Sequence, residues 1–484
     1  MNYRLIAKTL GTVLFIIAIA MIFPLIVSFI YGGEDAKSFI ISIAITLSVS
    51  ALLLLIKPKN NQIYVRDGMA IVAFSWILVS LLGALPVYLS GTSQSFISAF
   101  FESVSAFSGT GASTISNIEA CSKGVLFWLA LAQWLGGMGV LVLMLALLPA
   151  VRGSTLHIMS AEASGPSTEK LVPKIGETAK ILYTIYFALS AVQVLILLIG
   201  GVNWYDALTV TFSTAGTGGF TTKAASIGSF NSLFVEIVVA IFMLLFGINF
   251  SLYFILLTKK SIKEFFKDEE LRLFLSVTLF STLVITIDNI IASIYNFADS
   301  LRYSFFQVSS VITSTGFFTA NIGEWKDTSQ FILLFLMIIG ASAGSTGGGT
   351  KMIRLLVLIK TVKREFLKII HPKSVQTIKV NGKAFDNNSL NKIYAYYFAY
   401  FLLIGAGTIL VSFDTQDFVT TFSAVVQAIG NTGIGLGNVA PGGSFAVFNP
   451  FNQMVLSFLM IAGRLEIFPL LLMLTPSFWS KSNM

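Results

Sequence analysis

Apolar runs long enough to cross a membrane alternate with short polar breaks along the whole chain. Two come first, roughly 5–31 and 37–56, joined by the polar turn Gly32 to Asp35, and predict an N-terminal transmembrane hairpin within 1–58. Beyond Lys57, Lys59 and Arg66 the pattern becomes regular: a spanning helix, a shorter half-polar helix, a Gly/Thr-rich loop and a second spanning helix. That unit occurs four times, at 59–150, 151–260, 261–358 and 392–484, with a linker at 359–391 before the last copy. The flanking spans are expected near 69–90 and 124–149, 176–200 and 232–257, 272–295 and 329–358, and 392–412 and 451–475.

Laid under one another, the four loops read Ser108-Gly109-Thr110-Gly111-Ala112, Ala215-Gly216-Thr217-Gly218-Gly219, Thr313-Ser314-Thr315-Gly316-Phe317 and Gly430-Asn431-Thr432-Gly433-Ile434. A Thr-Gly pair recurs in every copy. In one loop such a pair would read as a turn or a helix-packing contact; four copies in register point to a shared device.

Composition narrows the class. Of the 484 residues 55% are hydrophobic and 11% charged, against about 25% charged in soluble chains. A soluble enzyme is excluded, and the fold expected is an all-α polytopic membrane protein whose four repeats surround one pseudo-fourfold pore. The 31 Lys+Arg exceed the 23 Asp+Glu, but they are dispersed between apolar runs and imply no nucleic-acid partner. Assigned to the side where each span ends, Lys37, Lys123, Lys223, Arg302 and Lys326 fall on one side and the other 26 (31 minus 5) toward the opposite one. The crowded side is cytoplasmic, so both termini and the linker are expected there and the four loops open to the exterior. The run Leu10 to Ile30 after Arg4 and Lys8 is too long for a signal-peptide core, and it is read as a retained helix. Cys121 stands alone and forms no intrachain disulfide.

A half-polar segment of 12 to 16 residues cannot cross an apolar core of ~30 Å as a helix, so each loop segment should enter and leave on one side. Irregular backbone at that depth survives only when buried in protein or lining a water-filled path. Glycine in each pair allows consecutive carbonyl oxygens to face a common axis and replace the hydration shell of a cation. The short helix before each loop adds the partial negative charge of its C-terminus, while Asp206, Asp299 and Asp417 suit the opposite end.

In this fourfold arrangement the loops resemble the Trk/Ktr/HKT superfamily of potassium transporters. The leading hairpin and the length resemble the Trk-type pore subunit rather than the shorter Ktr type, and the likeness covers essentially the whole chain. It implies channel-like potassium uptake across a bacterial cytoplasmic membrane, with filter glycines at Gly111, Gly218, Gly316 and Gly433 beside Thr110, Thr217, Thr315 and Thr432. Ser108, Gly109 and Asn431 are further filter candidates, and K+ is the transported ion and the only metal expected. In the plant branch a serine at the first filter position goes with sodium permeation; here the residue is Gly111.

Two more stretches match the family. Gly340-Ala341-Ser342-Ala343-Gly344-Ser345-Thr346-Gly347-Gly348-Gly349-Thr350-Lys351 should interrupt the third unit's last helix, and the family uses this stretch as a gate below the filter. The gate candidates are Gly344, Ser345, Thr346, Gly347, Gly348, Gly349 and Lys351, together with Arg464 and Glu466 of the last span. The stretch is not a nucleotide-binding P-loop, because Lys351 follows Thr350 and no strand precedes it. Gly463-Arg464-Leu465-Glu466 lies near the middle of the last span, where an arginine must face water or a partner. The family places Arg464 in the pore beside the gate; a structural ion pair with Glu466 is the alternative reading.

The resemblance further implies a homodimer in membrane lipid. Beneath it docks a cytosolic RCK-type (TrkA-like) regulatory ring, which holds any NAD- or ATP-type nucleotide. The basic linker, with Lys360, Lys363, Arg364, Lys368, Lys373, Lys379 and Lys383, is read either as a docking surface or as a plain positive-inside loop. Glu102 is read either as tuning cation access or as bonding the back of a filter, Gln307 and Gln427 as filter buttresses, and His157 and His371 as surface residues. No nucleophile stands beside a base, so the competing class is an ion-coupled secondary transporter (symporter) with alternating access. Four repeats of one orientation argue against its inverted repeats.

Overall fold

A computed structural model describes residues 1–58, 60, 63–139, 175–373, 376–414 and 416–479. The later part of the span expected at 124–149, the boundary at 150/151 and His157 lie outside the described residues.

The N-terminal helices Tyr3–Ala20 and Ile22–Ile30 run on from one another and return as Ala36–Leu54. Ser50 Oγ donates to the Gly11 carbonyl at 2.7 Å across this hairpin, where a side chain at Gly11 would collide with Leu53 and Leu54. Each repeat then follows one plan. The leading spans are Val65–Leu89, Ile175–Ile199, Glu269–Ile291 and Asn387–Val411. The short pore helices are Phe96–Ser108, Trp204–Ala215, Phe297–Ile312 and Phe418–Gly430. The second spans begin with Lys123–Gly137, Leu233–Gly247, Asp327–Ile339 and Pro450–Arg464.

Among the described residues six helices are long and apolar enough to cross a membrane, or seven if one bent pair counts as a span. Their outer faces carry exposed Phe187, Leu279 and Phe398, which suits hydrocarbon and not water. Small and polar side chains face inward: Ser42, Thr46 and Ser50 on one span and Thr278, Thr282 and Thr286 on another are buried, the composition that lets helices approach closely in lipid.

The second spans are where the structure departs from simple continuity. The run expected at 232–257 bends by 89° between Leu233–Gly247 and Phe250–Lys259, with Asn249 capping the second piece through Ser251 N at 2.9 Å. The carbonyls freed at the bend accept from the third repeat: Ser342 N reaches the Gly247 carbonyl at 3.1 Å and Thr346 Oγ1 the Phe246 carbonyl at 3.2 Å. The run expected at 329–358 is interrupted over 340–351, as its glycines predict, and resumes as Met352–Ile370. The run expected at 451–475 stops at Arg464 and restarts as Phe468–Met473. Glu466 (φ 54°) and Ile467 (φ 69°) form that break in left-handed backbone, costly for a β-branched residue.

The linker is more ordered than an open loop. The helix Met352–Ile370 runs across the boundary at 358/359, and Lys379 and Val380 pair with Ala384 and Lys383 in a small antiparallel hairpin. Lys360 is bound to Glu269 and donates to the Lys379 carbonyl at 2.6 Å, so it is committed within the chain.

Convergence of four re-entrant loops

Each pore helix starts on a polar cap that accepts a backbone N–H: Ser95 from Ser98, Asn203 from Asp206, Asn296 from Asp299 and Asp417 from Thr420. Each ends in one left-handed residue, which swings the chain toward the centre: Gly109 (φ 70°), Thr217 (φ 51°), Ser314 (φ 57°) and Asn431 (φ 51°). The next amide bonds back into its helix: Thr110 N to Ser105 at 2.9 Å, Gly218 N to Ser213 at 2.8 Å, Thr315 N to Ser310 at 2.8 Å and Thr432 N to Gln427 at 3.0 Å.

This register corrects the second loop by one residue. Thr217 occupies the place of Gly109, Ser314 and Asn431, so Gly218 matches Thr110, Thr315 and Thr432. The residue matching Gly111, Gly316 and Gly433 is Gly219, not Gly218.

The packing bears out that frame. A Cβ on Gly111 would overlap the Gly218 carbonyl, one on Gly219 the Thr315 carbonyl, and one on Gly316 the backbone of Gly433; one on Gly433 would lie 3.0 Å from Gly316 Cα and 3.1 Å from the Thr110 carbonyl. The first three loops therefore press their glycines against the backbone of the next, in sequence order, and the fourth glycine sits between the third loop and the first, closing the ring. Gly111, Gly219, Gly316 and Gly433 together line a cavity of about 130 Å³ above the ring, whereas a side chain on Gly218 would run into the Gln133 amide on the outer side. Thr110, Thr217, Thr315 and Thr432 are all buried. Thr110 Oγ1 meets Ser108 Oγ at 2.7 Å and accepts from Asn431 Nδ2 at 3.0 Å.

Behind the ring, Glu102 accepts from Ser113 Oγ at 3.0 Å, Thr114 Oγ1 at 2.8 Å and the Thr114 amide. Its carboxylate thus binds the stretch that follows the first loop. Gln307 and Gln427 are buried, but their side chains make no hydrogen bond among the described residues. Buttressing falls to Gln133, whose Nε2 donates to the Gly218 carbonyl at 2.9 Å. Sequence reasoning missed it, although a glutamine in the middle of an apolar span is itself a signal.

Residues 340–351 lie directly beneath the ring. Ser314 Oγ accepts from Gly348 N at 2.5 Å, the Gly430 carbonyl from Gly349 N at 3.0 Å, and the Thr346 carbonyl from Thr217 Oγ1 at 2.9 Å. Ser345 Oγ turns back on the Ser342 carbonyl at 2.6 Å, the Gly344 carbonyl accepts from Phe250 N at 3.0 Å, and buried Lys351 donates to the Gly347 carbonyl. Arg464 donates to the Thr346 carbonyl at 2.8 Å, to the Gly136 carbonyl at 2.6 Å and to the Gly137 carbonyl. It thus meets the loop through the backbone of Thr346 and not through a Ser345 or Thr346 hydroxyl. Glu466 accepts from Arg354, on the helix that leaves the loop, and Arg354 also stacks on Tyr396 at 3.9 Å.

A family model described as a cation transport protein, TrkH, matches residues 35–481. The chain is 35% identical over 485 residues to the Trk system potassium uptake protein TrkH of Salmonella typhimurium, covering 99% of this chain and 100% of that one. It is 31% identical over 481 residues to TrkG of Escherichia coli, covering 99% of both. The crystal structure of the potassium transporter TrkH from Vibrio parahaemolyticus superposes with a TM-score of 0.90 at 32% identity, over 99% of this chain and 100% of that one.

Proposed function

The chain belongs to the TrkH family of cation transport proteins, and from that premise we propose that it takes up potassium through a pore whose filter is the ring at Gly111, Gly219, Gly316 and Gly433. The observation that carries this reading is the cyclic seating of each glycine on the backbone of the next loop. It leaves oxygen atoms, and no side chains, to meet a cation on the axis. Carbonyls in such a ring replace water around K+. A single ring shared by all four repeats favours a channel-like path over alternating access.

Beneath it, residues 344–351 and Arg464 form the closed gate. The loop's amides occupy acceptors at the base of the filter, Ser314 Oγ and the Gly430 carbonyl, that a departing ion would otherwise use. Opening is driven from the cytoplasm: the helix Met352–Ile370 runs from the gate loop to the basic face carrying Lys363 and Lys368. There an RCK-type nucleotide-binding ring docks on a homodimer of this chain, with both termini on the same side.

Gly111→Ser and Gly316→Ser test the filter. Each places a side chain where none fits and substitutes a hydroxyl for part of the oxygen cage, so relative sodium permeability rises in proteoliposomes. Unchanged K+/Na+ selectivity in both would remove the assignment. The docking face makes a separate prediction. Lys363→Glu with Lys368→Glu should weaken partner binding and make the residual affinity less salt-sensitive, since fewer charges remain to be screened. Intact binding and regulated uptake in that variant would return the segment to a plain positive-inside role.

A further inference from the structure

Lys223 stands on the wall of the vestibule whose floor is the glycine ring. Its ammonium lies 3.7 Å from Asp206 Oδ2 and 3.9 Å from the centroid of the Phe230 ring, and its side chain is 33% exposed. Asp206 is firmly seated: Oδ1 accepts from Thr222 Oγ1 at 2.8 Å, Oδ2 from Asn203 Nδ2 at 2.7 Å, and its amide bonds the Asn203 cap at 2.8 Å. Lysine is the mobile member of the pair, a hydrated point charge on a flexible four-carbon stem.

We propose that Lys223 is a tethered cation that limits how readily potassium occupies the outer vestibule, with Asp206 and Phe230 holding it aside. The inference rests on the filter reading above. An ion approaching the ring passes within the field of this ammonium in a cavity of about 130 Å³. Asp206 offsets the lysine charge while the pair is closed. Freed from Asp206, the same ammonium can turn toward the axis and compete with the incoming ion.

The two partners should therefore act with opposite signs, which a purely structural ion pair would not. The experiment is initial inward potassium flux into proteoliposomes at low potassium, with ionic strength set by an impermeant organic cation salt. Lys223→Gln should raise the flux at low ionic strength by about two- to threefold, the factor a unit charge exerts at ~8 Å in water, and the gain should vanish at high salt. Asp206→Asn should lower the flux, and Asp206→Asn with Lys223→Gln should behave like Lys223→Gln alone, which also shows that the asparagine variant folds. Equal flux in Lys223→Gln and the parent at both salt strengths, or loss of flux in both single variants, would overturn the proposal. Its failure is separable from failure of the filter reading, which is decided by K+/Na+ selectivity in the Gly111→Ser and Gly316→Ser proteins.

Discussion

Gly219→Ala will abolish potassium-selective flux, whereas Gly218→Ala combined with Gln133→Ala will retain it. The first substitution puts a Cβ on a residue with φ 68° and drives it into the Thr315 carbonyl and the Gly316 backbone. Both of those belong to the ring and are wedged against the fourth loop, so neither can retreat. Left-handed backbone alone costs a non-glycine residue of order 1–3 kcal/mol, and the collision adds to it. Gly218 has ordinary backbone, and a Cβ there meets only the amide of Gln133. Shortening Gln133 relieves that overlap and removes its bonds to the Gly218 carbonyl and the Phe220 amide, each typically worth about 1 kcal/mol net. The double variant should thus be less stable but still selective. Reversal potentials under bi-ionic K+/Na+ conditions separate the cases, with at least a tenfold change in permeability ratio expected for Gly219→Ala. The opposite ranking would restore the frame in which Gly218 is the filter glycine.

Loss of Arg464 should have the other large effect, on flux without the cytosolic partner. A guanidinium in the path repels an approaching K+ by about 4 kcal/mol at 4 Å if the effective dielectric is ~20, roughly a thousandfold in occupancy. Its bonds also pin the gate loop at the Thr346 carbonyl and tie it to the Gly136 and Gly137 carbonyls of the first repeat. Arg464→Ala and deletion of residues 345–349 should each raise partner-free potassium flux, and the double variant should add little to either. Thr217→Val should give a smaller rise, since it deletes only the hydroxyl bond to the same carbonyl. Wild-type flux in both Arg464→Ala and the deletion, at normal membrane levels, would make the arginine a packing element and put the gate elsewhere.

Most of the architecture was legible because membrane spans announce themselves by length and because a Thr-Gly pair marks each of the four loops. The second loop's frame was not. Thr217-Gly218-Gly219 fits the Thr-Gly pattern in the wrong register, and only the backbone reveals that a β-branched threonine takes the left-handed place held elsewhere by glycine, serine and asparagine. No propensity argument would put it there. The bend after Gly247 was hidden inside a long apolar run, marked only by Asn249 and Ser251 close to it. The alternative reading paired Glu466 with Arg464 by proximity along a helix. The break at Glu466 and Ile467 removes that helix, and the carboxylate finds Arg354, 112 residues away. Gate interruption at 340–351 was readable from glycine content alone. What its amides would bind was not, since those acceptors come from four other segments: Ser314, Gly430, the bend at Phe246 and Gly247, and Glu270.

The ring closes where Asn431 reaches Thr110, 321 residues earlier in the chain. A ribosome therefore delivers three quadrants of the filter well before the fourth exists, and during that interval the first three have no partner to complete them. Long-range closure of this kind is the slow part of assembly. On the proposed reading an unfinished chain has no ion-sized cage, and the membrane would gain a potassium path only when the last repeat has inserted. Because Arg464 arrives in that same repeat, on the helix that follows the fourth loop, the proposed path and its barrier would be completed together, and a newly made molecule would be born shut.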